Sequence, residues 1–231
     1  MSCESYAQMA KNTVSAHGQL VQSDFVKFDF LNNKGTRIMF VGNSITLHGI
    51  RPEIGWHNAW GMAASSLDRD YVHLLESDIM QLDAEAAFCI CQVAKWERSY
   101  KNGSAILSEY DAARKFGADI IILRFVENVP NDDYEADVFL RELDVLVNYL
   151  NGTGKAKLII STGFWEHPGD KDIRAYAKDK GIPCVELGDL GENEQMKAIG
   201  LFEHSGVANH PGDLGMQNIA SRIFKELKKL L

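Results

Sequence analysis

Three residue types that together suit acyl transfer stand far apart in the sequence: Ser44, Asn128 and His210. Serine is a weak nucleophile until a base takes its proton, and histidine is a common base for the purpose. An asparagine amide, with main-chain N–H groups, can hold the oxyanion that forms when an acyl carbonyl is attacked. Each of the three follows or precedes an apolar stretch. Ser44 comes just after Arg37–Val41, Glu127 and Asn128 follow Asp119–Phe125, and His210 lies in Asn209–Asp213 ahead of the last amphipathic stretch. Gly42 allows the backbone to turn sharply after its strand and tip Ser44 outward. Taken alone, Ser44 reads as a helix cap and His210 as a surface residue before an N1 proline. Their arrival with Asn128 at one set of strand ends favours chemistry.

On these residues the sequence resembles the SGNH/GDSL hydrolases. Gly42-Asn43-Ser44-Ile45-Thr46 is similar to the family's first block, G-D-S-x-(T/S), with Asn43 in place of aspartate. Asp119–Asn128 resembles the third block, a buried strand leading into G-x-N-D. Asn128 falls on its asparagine, with Val126 and Val129 where the pattern has glycine and aspartate. Asn209–Gly215 resembles the fifth block, D-x-x-H-P-x-x-x-G, with His210 on the histidine. The resemblance runs over about residues 37 to 224. It implies a carboxylic ester hydrolase working through an acyl-enzyme on Ser44, with His210 as general base, Asn128 in the oxyanion hole and no metal or organic cofactor.

Two departures leave roles to be filled. The family carries an orienting aspartate three residues before its histidine, where this chain has Val207. Glu203 is the expected substitute, with Asp213 or a backbone carbonyl as alternatives; loss of the acid should weaken catalysis without abolishing it. The family's second-block glycine, an oxyanion donor, is also missing. Ala94 or Trp96 in Ala94–Arg98, or else Gly61, is the expected donor. Asn43, Glu127, Trp60 and Trp165 complete the candidate oxyanion and substrate-binding set. Trp56 and Trp60, with His48 and His57, could wall a sugar or acyl group or simply pack. Glu97, Arg98 and Arg124 could form a buried ion pair or bind substrate. His167 in the repeated tetrapeptide His167–Asp170 reads as a helix start capped by Asp170. His73 reads as a helix-face residue without a catalytic role.

The elements that must position these groups follow from periodicity. Five short apolar runs, Arg37–Val41, Ala86–Val93, Asp119–Phe125, Lys157–Ser161 and Pro183–Leu187, suit strands buried on both faces of a parallel sheet. Helices are expected near Trp60–Gln81, Gly103–Phe116, Tyr134–Leu150, Asp170–Lys180 and Pro211–Leu231. This alternation predicts an α/β fold of three layers, α/β/α and flavodoxin-like, with a five-stranded parallel sheet in the order 2-1-3-4-5. Residues 1–35 are expected to form an N-terminal arm packed on a domain of residues 36–231, with Phe25–Phe30 alternating like an edge strand.

Composition narrows the function. The 231 residues include 45% apolar and 24% charged residues, enough for one ordinary core. Twenty-four basic against 32 acidic residues leave a formal charge of −8, which argues against nucleic-acid or anionic-membrane partners. The four cysteines form no CxxC or Cys/His cluster, so no zinc site is expected. No signal peptide or membrane span is apparent, and a cytoplasmic protein is the expectation. There is no G-x-S-x-G elbow and no G-x-G-x-x-G or Walker motif, which disfavours an α/β-hydrolase and a nucleotide site. The resulting expectation is a serine esterase or deacylase for small O-acyl groups, including O-acetyl groups on carbohydrate. A thioesterase or acyltransferase using the same residues, and a non-catalytic ligand-binding domain, are the alternatives.

Overall fold

A computed structural model describes residues 20–231; the rest of the expected N-terminal arm, residues 1–19, lies outside the described residues. Among the described residues six strands form one sheet: β1 (Val26–Asp29), β2 (Arg37–Gly42), β3 (Ala87–Gln92), β4 (Ile120–Arg124), β5 (Lys157–Ser161) and β6 (Cys184–Val185). Their spatial order is β1-β3-β2-β4-β5-β6. The pairs from β3 through β6 are parallel, and β1 adds to the outer edge of β3 antiparallel. The sheet is therefore mixed and six-stranded where five parallel strands were expected. β1 comes from the segment expected to be an arm. Val26 and Phe28 are buried while Lys27 and Asp29 are half-buried, the alternation of a strand with only one face on the core.

The central strands are apolar on both faces because helices cover both. On one face Met39, Val41, Ile121 and Leu123 pack with α3 (Asp111–Phe116) and α4 (Ala136–Leu150). On the other, Ile38, Phe40, Ile120 and Ile122 pack with α1 (Tyr71–Met80) and α8 (Asp213–Leu227). The remaining helices are α2 (Ala94–Arg98), α5 (Asp170–Lys180), α6 (Asp189–Glu192) and α7 (Ser205–Ala208).

Two expected helices come out differently. The first begins at Tyr71 rather than near Trp60, because the Asp70 carboxylate accepts the His73 N–H and starts the helix there. The stretch expected as Gly103–Phe116 divides into a 3-10 segment, Tyr100–Tyr110, and α3. A Cβ at Gly103 would stand 2.2 Å from Trp96 Nε1, so only glycine passes this indole so closely.

Candidate active site

The carboxyl ends of β2, β3 and β4 meet at one rim, and Ser44 lies just past the end of β2. Gly42 ends that strand in a space with no room for a side chain: a Cβ would lie 1.9 Å from Thr46 Oγ1 and 2.6 Å from the Arg124 carbonyl oxygen. The chain then turns, with the Asn43 carbonyl accepting the N–H groups of Thr46 and Leu47, each at 2.9 Å. This leaves Ser44 half-buried at the mouth of a pocket of about 230 Å³.

His210 comes to the same pocket from the other end of the chain. The short helix α7 precedes it, its own N–H bonds the Val207 carbonyl at 2.9 Å, and Pro211 bridges to Lys197. Its Nε2 lies 2.8 Å from Ser44 Oγ. Its Nδ1 lies 2.7 Å from the carbonyl oxygen of Gly206. A carbonyl can only accept, so Nδ1 carries the hydrogen and Nε2 presents its lone pair to the serine hydroxyl. Trp165 meets the imidazole edge to face, with centroids 5.3 Å apart, and holds the ring in place rather than offering an open wall. Burial pushes His210 down to about 4; the Gly206 carbonyl and the Glu127 carboxylate pull the other way and offset only part of this. The ring is neutral at pH 7, as a general base requires.

Glu203, the expected orienting acid, is exposed and has no hydrogen bond to the ring. The alternative, Asp213, is taken up by the N–H and hydroxyl of Ser65 at 2.8 and 2.6 Å. The main chain fills the position instead. Val207, where the aspartate was missed, is buried with Trp56, Met62 and Ala198. An apolar side chain belongs there.

Below Ser44 lies a buried polar cluster. Asn43 is fully buried; its amide donates to Glu97 at 3.1 Å and Glu127 at 2.6 Å, and its oxygen accepts from Arg124 at 2.9 Å. Arg124 also pairs with Glu127 at 2.7 Å. Glu97 accepts the Val126 N–H at 2.7 Å and the Asn128 amide at 2.8 Å. Burial raises Glu97, and the neighbouring Glu127 charge adds to the rise. Burial pushes Glu127 up most strongly, but the Arg124 guanidinium together with the hydrogen bonds from the Phe164 N–H and the Asn43 amide leaves that carboxyl below its ordinary value. Glu127 and Asn43 are thus supports under the pocket, not groups that could touch a substrate. Asn128 does line the pocket; Glu97 takes one of its amide hydrogens and leaves the other.

Several other expected roles move. The Gly61 N–H is bound to the buried Asp70 carboxylate at 2.9 Å, so it cannot serve an oxyanion. Trp96 is fully buried against Phe125 and Phe139. Trp60 packs edge to face on the buried Trp56 and donates to the Ala64 carbonyl, and neither ring lines the pocket; Ile54 and Met62 do. Ala94 lines the pocket, but its N–H is bound to Gln92 Oε1 at 3.2 Å. His167 is buried with both ring nitrogens bonded, to the Val129 carbonyl and the Gly169 N–H. Gln92 was missed. It ends β3 opposite Gly42, lines the pocket, and has its amide oriented by the Ala94 bond. Its position as the last strand residue at the rim was the available signal.

No protein-family model matches the sequence, and no curated protein matches it. Solved structures do match in fold. A two-domain esterase active on acetylated mannans superposes with a TM-score of 0.56 at 18% identity, over 84% of this chain and 49% of that one. A psychrotrophic esterase, EstA from Pseudoalteromonas sp., solved inhibited by monoethylphosphonate, superposes with a TM-score of 0.55 at 11% identity, over 84% of this chain and 98% of that one. TesA superposes with a TM-score of 0.50 at 13% identity, over 85% of this chain and all of that one. The chain spans about half the length of the two-domain esterase and nearly all of EstA. The fold is the one these proteins share. Among the described residues no helix is long and apolar enough to cross a membrane.

Proposed function

We propose that the protein is a divergent SGNH/GDSL-type serine hydrolase that cleaves short O-acyl esters through an acyl-enzyme on Ser44. The observation that carries this is the 2.8 Å contact between Ser44 Oγ and the unprotonated Nε2 of His210, with Nδ1 fixed by the Gly206 carbonyl. Ser44 Oγ attacks the acyl carbonyl while Nε2 accepts its proton. Nε2 then protonates the leaving alcohol, and a water activated by the same nitrogen releases the acid. The Ser44 N–H donates to no acceptor among the described residues, and with the Asn128 and Gln92 amides it is available to the oxyanion.

The narrow pocket favours acetyl and other short acyl groups over long chains, since drug-sized ligands occupy roughly 300–1,000 Å³. Acetylated carbohydrate is the substrate class we favour, in keeping with the activity of the mannan esterase that shares the fold. The test is release of acetate from 4-nitrophenyl acetate and from acetylated manno-oligosaccharides. Ser44→Ala should lower kcat by a factor of about 10³ or more. Equal rates for the two proteins would overturn the assignment. A phosphonate probe that leaves Ser44 unlabelled while the protein binds acetylated sugar tightly would favour a binding module.

A further inference from the structure

Away from the Ser44 pocket, the last residue of β1 meets one face of α1. Asp29 points away from Val26 and Phe28, and His73 and Glu76, three apart on the helix, share a face toward it. Each offers a ligand atom, and these atoms lie within 4.8 Å of one another. Glu76 is 4% exposed, and its Oε1 is buried without any hydrogen-bond partner. A carboxylate oxygen taken out of water with nothing to compensate it is costly and calls for a cation or donor.

In its neutral form the histidine is set up to ligate a metal. The fully buried Asp70 carboxylate accepts both the His73 N–H, at 2.9 Å, and a hydrogen bond from the ring Nδ1, at 2.7 Å. In the neutral ring this places the hydrogen on Nδ1 and leaves Nε2 with its lone pair free. A carboxylate behind a ligating imidazole is the usual arrangement that sets the tautomer and raises ligand basicity at zinc sites. The geometry points to a site for a divalent transition metal of the zinc type, held by Asp29, His73 and Glu76. One imidazole with two carboxylates suits zinc better than magnesium or calcium, which prefer oxygen ligands alone. Zinc bonds of ~2.1 Å would draw the three ligand atoms together by about 1 Å, within the reach of side-chain rotation. A cleft of about 650 Å³, walled by Phe30, Leu67 and Met80, opens beside the three and leaves a fourth position for water or a ligand.

The site also touches the other pocket through the main chain. Asp70 holds the Gly61 N–H with its second oxygen at 2.9 Å, and the next residue, Met62, donates its N–H to the Ser44 carbonyl at 2.8 Å. Metal binding would firm the segment that supports the serine, yet the inference stands independently of any chemistry at Ser44.

The test uses the full chain after EDTA treatment and dialysis. Calorimetric titration with zinc chloride should give one ion per chain and raise Tm, and cobalt(II) should give the intense visible bands of a low-coordinate site. Glu76→Gln and Asp29→Asn should each weaken zinc binding by at least about 10-fold and remove the cobalt bands. Asp29 sits on the half-exposed face of an edge strand, so its variant decides the matter if the Glu76 variant fails to fold. Zinc uptake well below one per chain would overturn the proposal. So would affinity unchanged in the variants, which would place the ion elsewhere.

Discussion

At the scale of single residues, the imidazole of His210 depends on a main-chain oxygen where related chemistry commonly uses a carboxylate. A carboxylate raises the basicity of its histidine and stabilises the imidazolium. A carbonyl carries only a partial charge and does less, and burial acts against the charged ring. On the proposed mechanism, protonation at Nε2 removes the lone pair that Ser44 needs, so activity should fall as pH drops through the His210 value of about 4. The acid limb of kcat/KM against pH should therefore lie well below the ~6.5 of an ordinary histidine. A limb at 6.5 or above would mean a carboxylate reaches the ring. Glu203→Ala checks the same point: the side chain is exposed and off the ring, so kcat/KM should stay within about twofold. That Ser44 and His210 would meet at one rim was legible in the sequence, because their neighbours form recognisable blocks. The group behind His210 was not, since a backbone carbonyl has no residue type to read. Gly61, Trp96 and Glu127 fall away from the pocket for a different reason: sequence order puts them near the rim, but the Gly61 N–H is taken by Asp70, the Trp96 ring is buried in the core, and the Glu127 carboxylate is taken by Arg124, Asn43 and the Phe164 N–H.

At the scale of elements, the exit of β4 keeps a backbone shape that its side chain does not suit. Val126 has φ of 140°, a region that favours glycine, and it stands where the resembling pattern has glycine. Strain of this kind costs roughly 1–3 kcal/mol. It persists because the Val126 N–H is held by Glu97 at 2.7 Å and the side chain is fully buried. Val126→Ala loses burial and keeps the strain, whereas Val126→Gly loses slightly more burial but relieves it. Chemical denaturation should therefore show the glycine variant no less stable than the alanine variant, the reverse of the usual order. Gly42→Ala should act the opposite way. Its Cβ would collide with a main-chain oxygen that cannot move without shifting β4, so stability should drop by about 2 kcal/mol or more, and activity with it. Element types followed from periodicity, as in Lys157–Ser161 and Asp170–Lys180, where strand and helix fall on the expected residues. The start of α1 did not, because the buried cap at Asp70 outweighs the apolar pattern that extends back toward Trp60.

At the scale of the whole molecule, β1 decides whether the edge of the sheet is the apolar β3 or a short strand with charged residues on one face. An unpaired strand edge flanked by apolar side chains invites association with other chains. Val26 and Phe28 are buried against β3, and burying two such side chains contributes roughly 1.5–3 kcal/mol each. Deleting residues 1–35 should therefore lower Tm and produce oligomers or aggregates in size-exclusion chromatography. A monodisperse product of unchanged Tm would show that the segment is a mere appendage. The alternation in Phe25–Phe30 was visible in the sequence. Its partner was not, because β1 skips its neighbour in sequence, β2, and pairs with β3, with Val26 beside Cys91. The same skip has a consequence during synthesis. The ribosome delivers β1 first, but its pairing surface does not exist until residues near 92 have emerged and β2 has claimed the other side of β3. Until then the apolar face of β1, Val26 and Phe28, is left without its partner on the nascent chain.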